Sequence, residues 1–295
     1  MKNVKPRFSI VIPCYNEEDF IGAALESLSQ QQTSCNWEVI VVDNNCSDNT
    51  AVIAQKYGAK VIKETKPGIC AARQAGSEVA SGEIIISTDA DTKFSPDWLE
   101  NINRMYLSDP AIVAVGSACR YYDGPWWGQL YPLILFGADH LFYRLFGRPF
   151  YITANNISFK RTAWEGYDPL LSDYQGGDEI KLLQQLRRKG KVGFLYRNYT
   201  YTSGRRLHKG MLYNLFVTFM FYYLAGYFIN SIFKRQIIGN APAFRTEDKK
   251  LQPMLAPVLV ALVAVGLPLF IADQSVKHFV ADNTKDIVAA VRRLF

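Results

Sequence analysis

The sequence is poor in the residues that build disulfide frameworks and histidine-ligated metal centres. Its five cysteines are odd in number and contain no CxxC pair, which argues against a disulfide scaffold and against a zinc site. We therefore expect reduced thiols. The three histidines (His140, His208 and His278) lie far apart along the 295 residues, so a histidine-based metal site is not expected.

Two phosphate-binding motifs are also missing. The chain has neither GxGxxG nor GxxxxGK[ST], so dinucleotide-binding and P-loop functions lose their main support. The opening MKNVKPR leads directly into an apolar strand, and we expect no signal peptide. With 49% hydrophobic and 20% charged residues, the composition is typical of a packed core rather than disorder. The net charge of +6 favours anionic partners such as nucleotide phosphates, acidic lipids or nucleic acid.

Strand and helix signals alternate along the first third of the chain. Apolar runs predict buried strands at Phe8–Ile12, Trp37–Val42 and Glu83–Ser87, and a short strand is predicted at Lys60–Ile62. Apolar spacings of three and four predict helices at Glu18–Gln31, Asn49–Tyr57 and Ile69–Ala80, the second capped by Ser47 or Asp48. A further strong helix signal covers about Asp178–Lys189. This alternation predicts an α/β fold with a Rossmann-like, mostly parallel sheet and helices on both faces.

Polar residues follow three of these strands, in the clusters Tyr15-Asn16-Glu17, Asp43-Asn44-Asn45 and Asp89-Ala90-Asp91. Ligands of such sheets bind beyond the carboxyl ends of the strands, so we expect the clusters to converge on one edge. Paired carboxylates suit Mg²⁺ or Mn²⁺, which also bind diphosphates. The plain alternative for the DxD pattern is a turn with helix-capping acids.

Two long uncharged runs predict a membrane-associated region at residues 208–295. The 22 residues of Leu251–Ala272 contain a convincing span at about 253–272, whereas the 24 residues of Gly210–Phe233 carry polar side chains and either cross the bilayer or lie in its interface. The tail after Asp273 is patterned as an amphipathic helix. The aromatic segment Pro125–Tyr151 is interpreted either as core packing or as a surface that meets lipid.

A series of stretches resembles, in order and spacing, the inverting family 2 (GT-A fold) glycosyltransferases. SIVIPCYNEE, VVDNNCSDNT, PGICAARQAG and STDADT match the nucleotide-binding half, ITANNISFKRTAWEGYDP the acceptor side, and GGDEIKLLQQLRRKGK the helix with the catalytic base. The resemblance covers about residues 7–206. It implies a GT-A catalytic domain at 1–207, with a nucleotide-binding half at about 1–120 and an acceptor half at about 121–207, followed by C-terminal membrane helices.

The resemblance also assigns roles to single residues. Asp91 is implied as a ligand of Mg²⁺ or Mn²⁺, and Asp89 as a contact of the ribose or the metal. The other residues implied to bind the nucleotide sugar are Pro13, Tyr15 and Glu17 around the base and ribose, Asp43 on the base, and Gly68 and Arg73 beside the nucleotide.

The catalytic base and a basic pair have two interpretations each. The family usually has Glu-Asp where this chain has Asp178-Glu179; alignment on the end of the helix favours Glu179 as the base, and alignment on the preceding glycines favours Asp178. Both acids also suit a helix N-terminus. Arg205 and Arg206 stand near the family's QxxRW-like element, whose Gln and Trp are missing here. They either clamp a diphosphate or flank the membrane.

These expectations combine into an inverting transferase. The donor would be a nucleotide-diphosphate sugar, with UDP the usual nucleotide of the resembling family and GDP or dTDP the other forms. The acceptor would be lipid-linked, at the cytosolic face of a membrane. The alternative is an inactive glycosyltransferase-like membrane scaffold or nucleotide-sugar-binding protein. A nucleic-acid binder is not expected, because Lys and Arg do not cluster in a recognisable module.

Overall fold

The computed structural model describes residues 5–167 and 178–210. The chain divides into two compact units, Met1–Gly204 and Arg205–Phe295. All strands and α-helices given below belong to the first unit, and the described part of the second unit contains the 3₁₀ turn Arg205–Lys209. The expected membrane runs and the amphipathic tail lie outside the described residues, apart from Gly210. In the part of the chain that the structure describes, no helix has the length and apolarity needed to cross a membrane.

Strands and helices alternate through the first unit as the sequence predicts, and the first seven elements agree with their predicted bounds within two residues. The strands are β1 (Phe8–Cys14), β2 (Trp37–Asp43), β3 (Lys60–Lys63), β4 (Ile84–Ser87), β5 (Thr92–Phe94), β6 (Ile112–Tyr121), β7 (Ile157–Lys160) and β8 (Lys191–Thr202). The helices are α1 (Glu18–Ser29), α2 (Thr50–Lys56), α3 (Ile69–Glu78), α4 (Trp98–Ser108), α5 (Leu130–Phe146) and α6 (Asp178–Lys189). The N-cap position of α2 is taken by Asn49 and by neither of the two proposed residues, although the Asp48 carboxylate accepts the Thr50 N–H at 3.0 Å.

The eight strands form one sheet in the order β3-β2-β1-β4-β7-β6-β8-β5. β1 to β4 pair in parallel, as expected. β7 runs antiparallel to β4 and β6, and β5 runs antiparallel to β8, so the sheet as a whole is mixed. The antiparallel direction of β7 follows from where the chain returns to the sheet. After α5 the chain enters β7 at the edge where β4 ends, and an antiparallel strand there needs no crossover helix.

Helices cover both faces of the sheet. Phe8, Ile10 and Ile12 of β1 point to a core shared with α1, α2 and α4, whereas Val11 points to a second core shared with α3 and α6. This alternation follows from the period of two along a strand. Because β1 is buried along its whole length, only its ends can carry a ligand site.

Helix α5 packs on one side only. Its residues Phe136 and Asp139 are buried on the inner side of the helix. Its residues Leu133, Ile134 and Leu141 are exposed on the outer side. The aromatic segment therefore provides core packing on one side of the helix and presents an apolar surface on the other. Contact of that surface with lipid stays a prediction.

Candidate functional site

The three polar clusters lie at one edge of the sheet. β1 lies between β2 and β4 in parallel, and Cys14 at its end is paired with Asp43 at the end of β2. The Thr88 N–H, just beyond β4, donates to the Val11 carbonyl at 3.2 Å. The loops that begin at Tyr15, Asn44 and Asp89 therefore leave the sheet side by side, as the sequence predicts.

The loops after β1 and β2 are interlocked. Asn16 has a positive φ of 53°, and its side-chain carbonyl accepts the Ser47 N–H at 2.7 Å. The Glu17 N–H donates to the Thr50 hydroxyl at 2.8 Å. Pro13 is buried at the end of β1, whereas Tyr15 is 50% exposed. The arrangement fixes the backbone beside a half-exposed tyrosine ring, which suits contact with a planar base.

Asp43 and Asn44 are buried at the end of β2 and organise the loops around them. Asp43 accepts the Cys46 N–H at 2.8 Å. The Asn44 amide donates to the carbonyls of Glu64 at 2.8 Å and Lys66 at 2.7 Å, and its oxygen accepts the Gly68 N–H at 2.9 Å. Asn44 thus sets the path into α3. This role could not be predicted from the sequence, because nothing in the pattern separates Asn44 from the exposed Asn45 beside it.

Arg73 and Asp89 form an ion pair across the site. The Arg73 side chain, on α3, is 4% exposed, and its Nη2 donates to Asp89 Oδ1 at 2.9 Å, where the Asp89 side chain is 34% exposed. A buried guanidinium requires such a partner. The sequence places both residues near the nucleotide; the structure adds that Arg73 orients the carboxylate of Asp89.

Asp91 is held by the last residue of β8. Its Oδ1 accepts the Thr202 hydroxyl at 3.0 Å, and its backbone carbonyl accepts the Ser203 N–H at 3.2 Å. Burial raises the pKa of the Cys119 thiol, on β6, to about 12. A hydrogen bond with Asn155 acts in the opposite direction, and the charges of Asp89 and Asp91 add to the increase. The raised pKa favours the protonated thiol at neutral pH.

The donor atoms at this edge fit a divalent cation that shares its coordination with a diphosphate. Among residues 5–167 and 178–210, no group of three or more His, Cys, Asp or Glu side chains gathers into a metal site. Mg²⁺ characteristically needs only one or two protein carboxylates beside phosphate oxygens and water. Asp91 and Asp89 supply these two carboxylates, so they are the residues that would hold the ion.

The acceptor-side segment of the sequence borders the same edge. The Thr88 hydroxyl donates to the Asn155 carbonyl at 2.9 Å, directly before Asp89. Asn156 is buried; it accepts the Trp98 indole N–H at 3.0 Å and donates to the Ala118 carbonyl at 2.8 Å. Neither asparagine was singled out from the sequence, where ITANN shows no sign of which side chain is buried.

The remaining predicted residues are placed less completely. Helix α6 begins at Asp178, and Glu179 is half-buried, so the choice of base between them stays a prediction. Gln185 ties this helix to the preceding segment by donating to the Gly166 carbonyl at 3.0 Å. Arg205 and Arg206 belong to the second unit, in which Arg206 is exposed, and their role in diphosphate binding also stays a prediction.

Sequence comparison connects this arrangement to one family. Residues 9–166, more than half of the chain, match the profile of glycosyl transferase family 2. Putative glycosyltransferase EpsH of Bacillus subtilis is 33% identical over 123 residues, which are 40% of this chain and 36% of that protein. Dolichol-phosphate mannosyltransferase of Pyrococcus furiosus is 31% identical over 123 residues, 40% of this chain and 34% of that protein. The match spans about a third of the length of these relatives.

Solved structures share the fold at lower identity. TarS 1–349 of S. aureus superposes with a TM-score of 0.53 at 17% identity, covering 67% of this chain and 60% of that one. Glucosyl-3-phosphoglycerate synthase from Mycobacterium tuberculosis, in complex with Mn²⁺, UDP-glucose and phosphoglyceric acid, superposes with a TM-score of 0.50 at 22% identity, covering 69% and 74%. These likenesses establish a GT-A-like α/β fold.

Proposed function

This chain belongs to glycosyl transferase family 2, and from that premise we propose that it is a glycosyltransferase that transfers a sugar from a UDP-sugar to a lipid-linked acceptor. The observation that carries the donor proposal is the shared edge at which buried Arg73 orients Asp89 while Thr202 holds Asp91. Two neighbours in the fold support the choice of nucleotide, since their structures contain UDP-glucose and UDP-GlcNAc.

The proposed reaction is a single displacement with inversion. Asp178 or Glu179 accepts the proton of the acceptor hydroxyl, whose oxygen attacks the anomeric carbon. The bond from that carbon to the diphosphate oxygen breaks, and the nucleoside diphosphate leaves with the electron pair. Tyr15 and Asp43 hold the base, while Arg73 keeps Asp89 in place. A divalent cation bound at Asp91 and Asp89 would supply positive charge to the diphosphate.

The proposed location is the cytosolic face of a membrane. The uncharged runs at 210–233 and 253–272 support it, as does the outer side of α5, where Ile134 is 69% and Leu141 61% exposed. Exposed apolar residues of this size, contiguous along one helix, are unusual on a protein surrounded by water. Trp126 (81% exposed) precedes the helix and Arg144 lies near its end, a combination that suits an interface with anionic headgroups.

The donor site is tested with a panel of nucleotide sugars and Mn²⁺ or Mg²⁺, comparing the full chain in membranes with Asp91→Asn. Asparagine at this position can still accept the Thr202 hydroxyl but carries no charge. We expect metal-dependent release of UDP that is lost in this variant. Asp109→Asn is the matched control. Asp109 forms an ion pair of 2.8 Å with Lys191 outside the site, so removal of its charge should leave turnover unchanged. Absence of both turnover and nucleotide binding with every donor would favour the inactive scaffold.

The membrane proposal is tested at the outer side of α5. Ile134→Asp should lower transfer to a lipid-linked acceptor in vesicles and leave donor hydrolysis unchanged. Leu107→Asp is the matched control, because Leu107 on α4 is equally exposed at 69%. Equal effects of the two variants would contradict lipid contact. A change of oligomeric state caused by Ile134→Asp alone would assign this surface to a second copy of the chain instead.

A further inference from the structure

A buried carboxylate in the middle of α5 has no role in the site described above. Asp139 is 0% exposed. Its Oδ1 accepts the backbone N–H groups of Phe150 at 2.6 Å and Tyr151 at 3.2 Å. These two amides belong to the segment that returns from the end of α5 towards the site. Asp139 therefore fixes the place at which the chain turns back.

The returning segment reaches the site within a few residues. Ile152 packs so closely on Gly116 of β6 that a Cβ at position 116 would lie 2.7 Å from its Cγ2. Asn155 then accepts the Thr88 hydroxyl at 2.9 Å, next to Asp89. Because close-packed interiors transmit displacements, a shift at Tyr151 would move Asn155.

The same turn also holds helix α6. Arg187 donates from Nη2 to the Pro149 carbonyl. Burial and the neighbouring Arg148 lower the pKa of Arg187, and the negative charge of Asp139 opposes them. Asp178, the first residue of α6, lies about 13 Å from Arg187 along the same helix, at 1.5 Å per residue. The base candidates and the acceptor-side segment therefore share one support.

Stability does not explain an aspartate at this position. Asp139 Oδ2 is buried without a hydrogen-bond partner in the described residues. Burial raises the pKa of the carboxyl to about 6, although the amides of Phe150 and Tyr151 and the charge of Arg187 act in the opposite direction. An asparagine would accept the same two N–H groups without the cost of a buried charge, with its amide N–H₂ in the place of Oδ2 and no acceptor there among the described residues. The retained charge points to a functional role.

We propose that ionised Asp139 is a positioning residue for the acceptor side of the site, acting through the amides of Phe150 and Tyr151 on Asn155 and through Arg187 on helix α6. It contacts no reacting atom. The inference rests on the proposed function, because it assumes that the acceptor binds between Asn155 and the start of α6.

The test compares Asp139→Asn and Asp139→Ala with the wild-type full chain. We expect acceptor kcat/KM to fall about tenfold in Asp139→Asn and further in Asp139→Ala, as misplaced groups commonly cause. Donor KM and donor hydrolysis should stay unchanged, and the Tm of Asp139→Asn at pH 7 should not fall. Adding Arg187→Met to Asp139→Asn should give no further loss, because both changes interrupt the same support.

Tyr106→Phe provides the control for a simple loss of stability. It removes a buried hydrogen bond of 3.1 Å to Ser158, outside the proposed support. It should change neither the rate of transfer to the acceptor nor the rate of donor hydrolysis. Transfer by Asp139→Asn at the wild-type rate would overturn the inference, as would a parallel fall in its donor hydrolysis. If the wild type shows neither hydrolysis nor transfer, the proposed function fails instead, so the two failures are distinguishable.

Discussion

Replacement by alanine should change the free energy of unfolding in opposite directions at two helical glycines, Gly22 and Gly76. A Cβ at Gly76 of α3 would lie 2.4 Å from Val11 Cγ1 and 2.9 Å from Val42 Cγ2, in the core between α3 and the sheet. Gly22 of α1 has no neighbour of a new Cβ nearer than 3.7 Å. Alanine in a helix interior gains about 0.5–1 kcal/mol over glycine. Overpacking a core costs about 1–3 kcal/mol.

We therefore expect Gly22→Ala to raise the free energy of unfolding by about 0.5–1 kcal/mol. Gly76→Ala should lower it by about 1–2 kcal/mol, because the clash exceeds the gain in helix propensity. Gly76→Ala should also weaken donor binding, since a displaced α3 moves Arg73 relative to Asp89. Urea unfolding and nucleotide titration of the full chain in detergent measure both effects. Stabilisation by Gly76→Ala equal to that by Gly22→Ala would refute the close packing of α3 on β1 and β2.

Three further perturbations test other parts of the structure. Asn44→Ala should destabilise the chain by about 2–3 kcal/mol and weaken donor binding, because buried partners lose their hydrogen bonds. Asn45→Ala should cost less, about 1 kcal/mol, because exposed Asn45 has a positive φ of 68°, and it should leave donor binding unchanged. Cys119→Ser should keep transferase activity, because the pKa of about 12 leaves no thiolate to lose; a large loss would show that the thiol takes part. The pKa of Asp139, about 6 in the fold and ordinarily 3.8, means that the folded state binds more protons than the unfolded state in this interval. The free energy of unfolding should therefore fall by up to about 3 kcal/mol as the pH rises from 3.8 to about 6. Urea unfolding at pH 4 and pH 7 should show this fall in the wild type, and an equal fall in Asp139→Asn would contradict the raised pKa.

The sequence predicts the first half of the fold well, because β1, β2 and β4 contain long apolar runs and α1 has regular apolar spacing. The mixed sheet could not be predicted in the same way. β5 and β7 have three and four residues, too few for a periodic signal, and their direction depends on where the chain leaves β4 and returns from α5. The aromatic residues of Pro125–Tyr151 likewise do not show that the segment forms α5, or that only one side of this helix is buried.

The candidate site divides in the same way. Asp43, Asp89 and Asp91 could be predicted because they end buried strands that a parallel sheet aligns at one edge. Asn44 and Thr202 could not, since each acts through a partner in another part of the chain. Thr202 reaches Asp91 across more than one hundred residues, and only pairing of β5 with β8 brings them together. Local patterns carry no information on such contacts.

The most direct test of the central claim is nucleotide release by the full chain in membranes, with UDP-sugars and Mn²⁺ or Mg²⁺, for the wild type and Asp91→Asn. The account predicts metal-dependent UDP release by the wild type, its loss in Asp91→Asn, and unchanged release by Asp109→Asn. Release that is equal in the wild type and Asp91→Asn would contradict the placement of the donor diphosphate at Asp89 and Asp91.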